Sequence, residues 1–90
     1  MIKNNVHEIF KKEVMEKDAL NRIKWDSELN KNDFSVCYLD RISKRLIEAK
    51  YNDLLIDGDF LIIEDKFIPL HRIREIRYKG RVVWAKRRVD

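Results

Sequence analysis

The apolar positions in the first quarter of the chain recur every three or four residues, which is the period of an α-helix. They fall into two groups, with Val6, Ile9, Phe10 and Val14 in the first and Leu20, Ile23 and Trp25 in the second. We expect helix over residues 6–15 and again after Asp18, which would cap the second segment and turn its apolar residues toward the core. The pattern leaves open whether these are one kinked helix or two short ones.

After residue 33 the apolar positions alternate with polar ones, which is the period of a β-strand. The polar stretch at residues 26–33 predicts a loop, and turns are predicted at residues 57–59, 64–66 and 79–80. The apolar strand positions are Phe34, Val36, Tyr38, Ile47, Ala49, Tyr51, residues 60–63, Phe67, Ile68, Ile76, Tyr78, Val82 and Trp84. We therefore predict an α+β domain. Its N-terminal helix would pack on about five short antiparallel strands, which can curl into a small, partly open barrel.

The length of 90 residues is that of a single small domain, and no repeat, low-complexity tract or linker divides it. Cys37 is the only cysteine, so no disulfide can form within the chain and a reducing compartment is expected. It lies mid-strand among apolar residues, where we expect a small buried side chain. No apolar run reaches transmembrane length and no signal peptide is evident, so we expect a cytoplasmic protein without membrane contact.

Basic residues are concentrated in the last part of the chain. The net charge is +4, and 40% of the residues are charged. Between His71 and Arg88, eight Lys and Arg residues face a single acid, Glu75, so this segment carries +7 and the rest of the chain −3. Such a basic segment indicates a nucleic-acid partner. The alternative is a solvated sheet face whose cations keep an edge strand from pairing with other chains.

Residues typical of metal and cofactor sites are sparse. The chain has one Cys and two His, so no zinc-ligand spacing exists. Its two glycines are isolated, which excludes a glycine-rich phosphate loop, and the turn around Gly58 is too short for a calcium loop. Cys37 has no base beside it, so thiol catalysis is not expected. We therefore predict no metal, no cofactor and no catalytic residue.

The segment around Pro69 has the most specific chemistry. Proline fixes its own φ and keeps the preceding residue extended. A single helical turn from Pro69 would place Leu70 and Ile73 on the core side and point His71 and Arg72 elsewhere. A guanidinium fork beside an imidazole suits an oxyanion, above all a phosphodiester. The alternative is that His71 has only a structural role.

Three further pairs combine a cation with an aromatic or acidic side chain. They are Lys24 with Trp25, Arg41 with Asp40 after Tyr38, and Arg87 after Trp84. Each has a plainer explanation. Lys24 would favour the end of the helix dipole, both tryptophans would belong to the core, and the Asp–Arg pair would be an ordinary surface contact. As a functional pair, Trp84 and Arg87 would stack a base and hold its backbone.

Four segments, at residues 20–26, 38–41, 68–73 and 82–84, occur in this order along the chain. Together they resemble the RNA cyclic group end recognition domain, a family of small, mostly archaeal proteins. The sequence Ile68-Pro69-Leu70-His71-Arg72-Ile73 is the most specific part of the resemblance. We therefore identify residues 19–87 as a family-like core and residues 1–17 as a helical extension.

The resemblance implies a non-catalytic module that binds RNA 3′ termini carrying a 2′,3′-cyclic phosphate and works beside an RNA repair or processing enzyme. It implies that Arg41, His71 and Arg72 face the phosphate and that Asp40 holds an arginine in place. Further candidate RNA contacts are Lys24 and Arg87, and the supporting candidates are Tyr38, Trp25, Pro69 and Trp84. We expect a monomer or a weak dimer, since an exposed sheet edge can pair with itself.

Two other functions stay open. One is a cyclic phosphodiesterase or ribonuclease that uses His71 as general acid or base, with His7 in the extension as the second group. The other is a basic interaction module that binds RNA or an acidic protein without end specificity. Within end recognition, a cyclic phosphate carries one negative charge and a linear 3′-phosphate nearly two. Selectivity for the cyclic end therefore requires shape, because charge alone would favour the linear end.

Overall fold

The computed structural model describes residues 15–86. They form one α-helix, α1 (Glu16–Trp25), and seven β-strands. The strands are β1 (Phe34–Leu39), β2 (Leu46–Lys50), β3 (Leu55–Asp57), β4 (Phe60–Ile63), β5 (Lys66–Pro69), β6 (Ile73–Tyr78) and β7 (Arg81–Ala85). Three short 3₁₀ helices lie at Lys31–Asp33, Tyr51–Asp53 and Leu70–Arg72. In this part of the chain no helix is long and apolar enough to cross a membrane.

The strands form two antiparallel sheets, which agrees with the predicted α+β class. The first sheet has the order β2-β1-β6-β7, and the second has the order β3-β4-β5. Both sheets are open, so the strands do not close into a barrel. The predicted number of about five strands is too low. The three residues of β3 give an alternation too short to stand out from the neighbouring turns.

The helix begins earlier than the sequence suggested. α1 starts at Glu16, and Met15 precedes it as N-cap without a side-chain hydrogen bond. Asp18 therefore lies in the first turn, where its charge favours the helix dipole, and the prediction that it caps the helix is wrong. The first predicted helical segment, residues 6–15, lies outside the described residues apart from Met15.

Trp25 is on the surface, so the prediction that it belongs to the core is wrong. Its side chain is 75% exposed, whereas Leu20 and Ile23 are fully buried. Two positions after Ile23, a helical residue has turned by about 200° and faces away from the core. The ammonium of Lys24 lies 5.1 Å from the centre of the Trp25 ring, as in a cation–π contact.

The core lies between α1 and the inner faces of the two sheets. Its buried residues are Ala19, Leu20, Ile23, Leu29, Phe34, Val36, Tyr38, Tyr51, Leu54, Leu61, Ile68, Leu70, Ile73, Ile76 and Trp84. Tyr51 lies in a 3₁₀ helix rather than in the predicted strand, and its hydroxyl donates to the carbonyl oxygen of Leu20 at 3.2 Å. Trp84 and Cys37 are buried, as predicted.

Charged side chains cover the outer face of the first sheet. The guanidinium of Arg77 on β6 lies 2.9 Å from Oε1 of Glu75 and 3.3 Å from Oε1 of Glu48 on β2. Ser35 on β1 donates to Oε2 of Glu48 at 2.5 Å. Cys37 pairs in register with both glutamates and therefore lies in the strand between them. A polar outer face of this kind is usual for an antiparallel sheet that faces water.

Candidate functional site

A pocket opens where the end of β1 meets the second sheet, and it has a volume of about 420 Å³. Its lining residues are Tyr38, Leu39, Asp40, Arg41, Phe60, Lys66, Phe67, Ile68, Pro69 and Arg72. We call it the cationic pocket. The residues come from β1 and the turn after it, from the start of β4, from β5, and from the 3₁₀ helix Leu70–Arg72. The pocket is thus assembled from parts of the chain that are distant in sequence.

Three cations line the cationic pocket against one carboxylate. Arg41 and Lys66 are exposed, and Arg72 is half-buried. Within residues 15–86, none of these three side chains forms an ion pair. With Asp40 as the one acid of the lining, the pocket has a net charge of +2 that is available to an anionic ligand. In the same described residues, no group of His, Cys, Asp and Glu is placed to hold a metal ion.

Asp40 shapes the turn that carries Arg41. Its carboxylate accepts a hydrogen bond from the backbone N–H of Ser43 at 2.8 Å, and this bond lowers the pKa of Asp40 below its usual value. Its backbone N–H donates to Arg45, and its carbonyl accepts from Lys44. Asp40 was expected to hold an arginine, but its carboxylate contacts the turn backbone instead. It positions Arg41 through the main chain and stays ionised near neutral pH.

The predicted turn at Pro69 is present. Leu70–Arg72 is a 3₁₀ helix that follows Pro69 directly, and Leu70 and Ile73 are buried as expected. Pro69 is also the last residue of β5, where it pairs in register with Phe60. The N–H of Leu70 donates to the carbonyl of Asp59 at 2.9 Å, which fixes the start of the turn against the β3–β4 turn.

This turn brings Arg72 into the cationic pocket but not His71. The His71 side chain is exposed and is not among the residues of the lining. Its carbonyl oxygen accepts hydrogen bonds from Nη1 of Arg74 at 2.8 Å and from Nζ of Lys86 at 2.9 Å. The backbone of His71 is therefore anchored, and Arg72 is the residue of the pair that reaches the pocket.

The other sequence candidates divide into two groups. Tyr38 and Pro69 lie in the wall of the cationic pocket beside Arg41. Lys24 and Trp25 lie at the end of α1, Trp84 lies in the core, and none of the three lines the pocket. Arg87 lies outside the described residues, so its predicted role remains a prediction.

Five residues of the lining are not among the site candidates predicted from the sequence: Leu39, Phe60, Lys66, Phe67 and Ile68. The two phenyl rings are 6.2 Å apart in an edge-to-face arrangement, and their side chains are 41% and 64% exposed. The exposure of both rings has a signal in the sequence, because exposed and buried residues alternate along a strand. Phe60 directly precedes the buried Leu61, and Phe67 directly precedes the buried Ile68. The continuous apolar run of β4 conceals this alternation, and Lys66, for which the sequence predicts a turn, is the first residue of β5.

The comparison with known families agrees with the resemblance found in the sequence. Residues 15–86 match the family described as the MJ1316 RNA cyclic group end recognition domain. This range covers every residue of the cationic pocket.

Archaeal relatives match over most of their own length. The UPF0248 protein MJ1316 of Methanocaldococcus jannaschii is 38% identical, over 81% of this chain and 95% of its own. A UPF0248 protein of Metallosphaera sedula is 39% identical, over 78% and 90% respectively. No solved structure matches the chain. The chain therefore belongs to the family of the MJ1316 RNA cyclic group end recognition domain.

Proposed function

We propose that this protein binds single-stranded RNA at its 3′ terminus and holds a terminal 2′,3′-cyclic phosphate in the cationic pocket. The observation that carries the proposal is the convergence of Arg41 and Arg72 on one pocket, without ion-pair partners among the described residues. Arg41 lies in the turn between β1 and β2, and Arg72 lies in the 3₁₀ helix between β5 and β6. The two guanidinium groups therefore come from separate parts of the chain and can bind one phosphate together. Planar guanidinium forks bind phosphate oxygens with two parallel hydrogen bonds.

The other lining residues fit the same ligand. Lys66 adds a third positive charge, and Phe60 and Phe67 offer apolar surface next to it. A nucleotide end combines these features, because its phosphate is anionic and its base has an apolar face. The volume of about 420 Å³ lies within the range typical of small-ligand sites.

Selectivity for the cyclic end would come from the rigid wall, while Asp40 reduces the preference of the net positive pocket for the doubly charged linear end. A linear 3′-phosphate carries nearly two negative charges near neutral pH, and a cyclic phosphate carries one. The ionised carboxylate of Asp40 in the lining repels the second charge more than it repels a monoanion. Pro69 and the turn at Asp40 restrict the wall of the pocket, so it adapts poorly to the extra oxygen.

Binding is better supported than hydrolysis. General acid–base cleavage needs two proton-transfer groups that flank the phosphate. The described lining contains no histidine, and its carboxylate, Asp40, has a lowered pKa that makes it a poor proton donor near pH 7. Cyclic phosphate ends arise when a 2′-hydroxyl attacks the adjacent phosphodiester and the 5′-oxygen of the next nucleotide leaves, which cleaves the RNA. A module that binds these ends would therefore serve an RNA repair or processing enzyme.

The test is fluorescence anisotropy with one short RNA bearing three different ends, at about 150 mM salt, where exposed charges are well screened. The ends are 2′,3′-cyclic phosphate, linear 3′-phosphate and plain hydroxyl. We expect the cyclic end to bind best. Arg41→Gln and Arg72→Gln should each weaken its binding by about tenfold or more, since each removes a charge-assisted hydrogen bond.

Two matched variants separate a site from general basic attraction. Arg81→Gln removes an exposed cation outside the pocket and should change binding less than about twofold. His71→Ala should have a similarly small effect, because His71 is outside the lining. Equal binding of the three ends, or an Arg81→Gln loss as large as that of Arg72→Gln, would leave only a basic RNA-binding domain. Turnover of the cyclic end by the wild-type protein would favour the enzyme instead.

A further inference from the structure

The outer face of the second sheet is apolar. The register places two rows of side chains on it, Leu55–Ile62–Phe67 and Asp57–Phe60–Pro69. The opposite face carries Ile56, Leu61 and Ile68, of which Leu61 and Ile68 are buried in the core. Five of the six outer residues are therefore apolar, and Leu55, Phe60 and Phe67 are exposed.

The first sheet of the same protein shows that this composition is unusual. Its outer face carries Ser35, Glu48, Glu75 and Arg77, which are joined by hydrogen bonds and ion pairs. Both faces belong to short antiparallel strands, and the exposed large apolar residues of the first sheet are Leu46 and Val82, whereas the second sheet adds two exposed phenyl rings, Phe60 and Phe67. Contiguous exposed apolar surface of this kind marks a binding site more often than a chance composition.

The apolar face is continuous with the cationic pocket. Phe60, Phe67 and Pro69 lie on the outer face by register and also line the pocket. A ligand that fills the pocket therefore meets the apolar face without a gap. Arg41, Lys66 and Arg72 line the same pocket, so the apolar face borders on a group of positive charges, which we call its positive rim.

We propose that the outer face of the second sheet is a stacking platform for the terminal bases of a single-stranded RNA whose end phosphate occupies the cationic pocket. The inference rests on the proposed function and adds a contact to the terminal bases of the RNA to the contact with its phosphate. Phe67 is the main platform because its ring is the more exposed of the two. Phe60 meets that ring edge-to-face at 6.2 Å and holds it in place.

The positive rim distinguishes an RNA from an apolar protein partner. A protein segment that covered the Phe rings would have to bring acidic groups to Arg41, Lys66 and Arg72 as well. A nucleotide supplies both parts at a fixed spacing, since every base is joined through its sugar to a phosphate. Stacking on an aromatic ring tolerates any base, so the platform would bind RNA ends with little sequence preference.

The experiment compares two RNAs with the same 2′,3′-cyclic phosphate, one complete and one lacking the base of the last nucleotide. Phe67→Ala should weaken binding of the complete RNA by about 5- to 150-fold, the typical contribution of one base stacked on an aromatic ring. It should not weaken binding of the abasic RNA further, because the stacking partner is already absent. Phe67→Trp keeps a stacking ring and should bind within about threefold of wild type.

Val82→Ala is the matched control, since it removes exposed apolar surface from the first sheet, away from the pocket. It should leave the binding of both RNAs unchanged. Folding is checked by thermal unfolding, and the exposure of Phe67 predicts that Phe67→Ala stays folded.

Three outcomes would overturn the platform. The first is that Phe67→Ala binds the complete RNA as tightly as wild type does, and the second is that it loses the same affinity for the complete and the abasic RNA. The third is a dimer in sedimentation velocity that Phe67→Ala dissociates, which would assign the face to a second copy of the chain.

The preference of the wild-type protein for cyclic over linear ends separates this failure from that of the proposed function. If that preference is present, the proposed function stands and only the platform fails. If it is absent, both fail together.

Discussion

The ammonium group of Lys86 lies 2.6 Å from Oε2 of Glu16, and this contact ties the end of the last strand to the first turn of the helix. The same ammonium donates to the carbonyl oxygen of His71 at 2.9 Å. One side chain thus joins β7, α1 and the 3₁₀ helix Leu70–Arg72. Because that 3₁₀ helix carries Arg72 into the cationic pocket, the ion pair also stabilises the position of a proposed phosphate contact.

Replacement of Lys86 by Met should destabilise the protein. Glu16 is 7% exposed, so its carboxylate would lose its partner in a site with little water. We expect a loss of about 1–3 kcal/mol in the free energy of unfolding, measured by urea denaturation. Lys17→Met is the matched control, because Lys17 pairs with an exposed Asp59 at 3.6 Å and should cost less than about 1 kcal/mol. Equal losses in the two variants would mean that the buried pair contributes no more than a surface pair.

Replacement of Asp40 by Asn should relax the selectivity for the cyclic end. Asn keeps a side-chain oxygen for the N–H of Ser43, so the turn is retained while the charge is lost. We expect the affinity ratio of cyclic over linear ends to fall by about three- to tenfold at pH 7.5, on a Coulomb estimate. An unchanged ratio would assign selectivity to the shape of the wall alone.

The pH dependence of the same assay follows from the ligand rather than from Asp40. The hydrogen bond from Ser43 lowers the pKa of Asp40 below the usual 3.8. Its carboxylate therefore stays ionised between about pH 5.5 and about pH 7.5. The second ionisation of a phosphate monoester lies near pH 6. Because the pocket has a net charge of +2, the wild-type protein should bind the linear end relatively less well at about pH 5.5, where that end is closer to a monoanion, than at pH 7.5. The stabilisation that Asp40 gives the fold is present above pH 3.8 and is lost only as the pH falls through its lowered pKa.

The salt dependence of RNA binding should reveal how many cations of the pocket contact phosphates. If Arg41, Lys66 and Arg72 each neutralise one phosphate charge of the single strand, the slope of log K against log salt is about −2. Lys66→Gln should reduce its magnitude by about 0.7, whereas Arg81→Gln should leave the slope unchanged. A slope that falls equally in both variants would indicate diffuse attraction by the basic C-terminal segment, which is the alternative of a module without end specificity.

The thiol of Cys37 should react slowly in the folded protein. Burial raises its pKa from 9.0 to about 11, although the nearby Arg77 partly opposes this. At pH 8 the thiolate would be about 100-fold rarer than for an ordinary cysteine, so a disulfide reagent should react at a correspondingly lower rate. Unfolding in urea should restore the normal rate, and fast reaction without denaturant would contradict the burial.

The raised pKa of Cys37 also predicts alkaline sensitivity. The neutral thiol is favoured in the fold, so this stabilisation is complete below pH 9 and is lost as the pH rises toward about 11. Urea denaturation at several pH values should show a steeper loss for wild type than for Cys37→Ala over this interval. Parallel curves would show that Cys37 does not ionise before the protein unfolds.

Local chemistry was sufficient for some elements and not for others. The turn at Pro69 was predictable because a proline restricts its own backbone and that of the residue before it. The strand over Phe34–Leu39 was predictable because alternation over six residues is a strong signal. The prediction for Trp25 is wrong because its position on the helix turns it away from the core, and the prediction for Asp18 is wrong because the helix already starts at Glu16.

The α+β class, the turn that presents Arg72 and the surplus of positive charge can be predicted from the amino-acid sequence, because each depends on neighbouring residues or on composition. The meeting of Arg41 and Arg72 at one pocket, the position of His71 outside it and the shared exposed face of Phe60 and Phe67 are visible only in the folded protein. The reason is that strand pairing and sheet packing are long-range. A shift of one residue in register moves every side chain of a strand to its other face, and nothing local specifies which strands become neighbours.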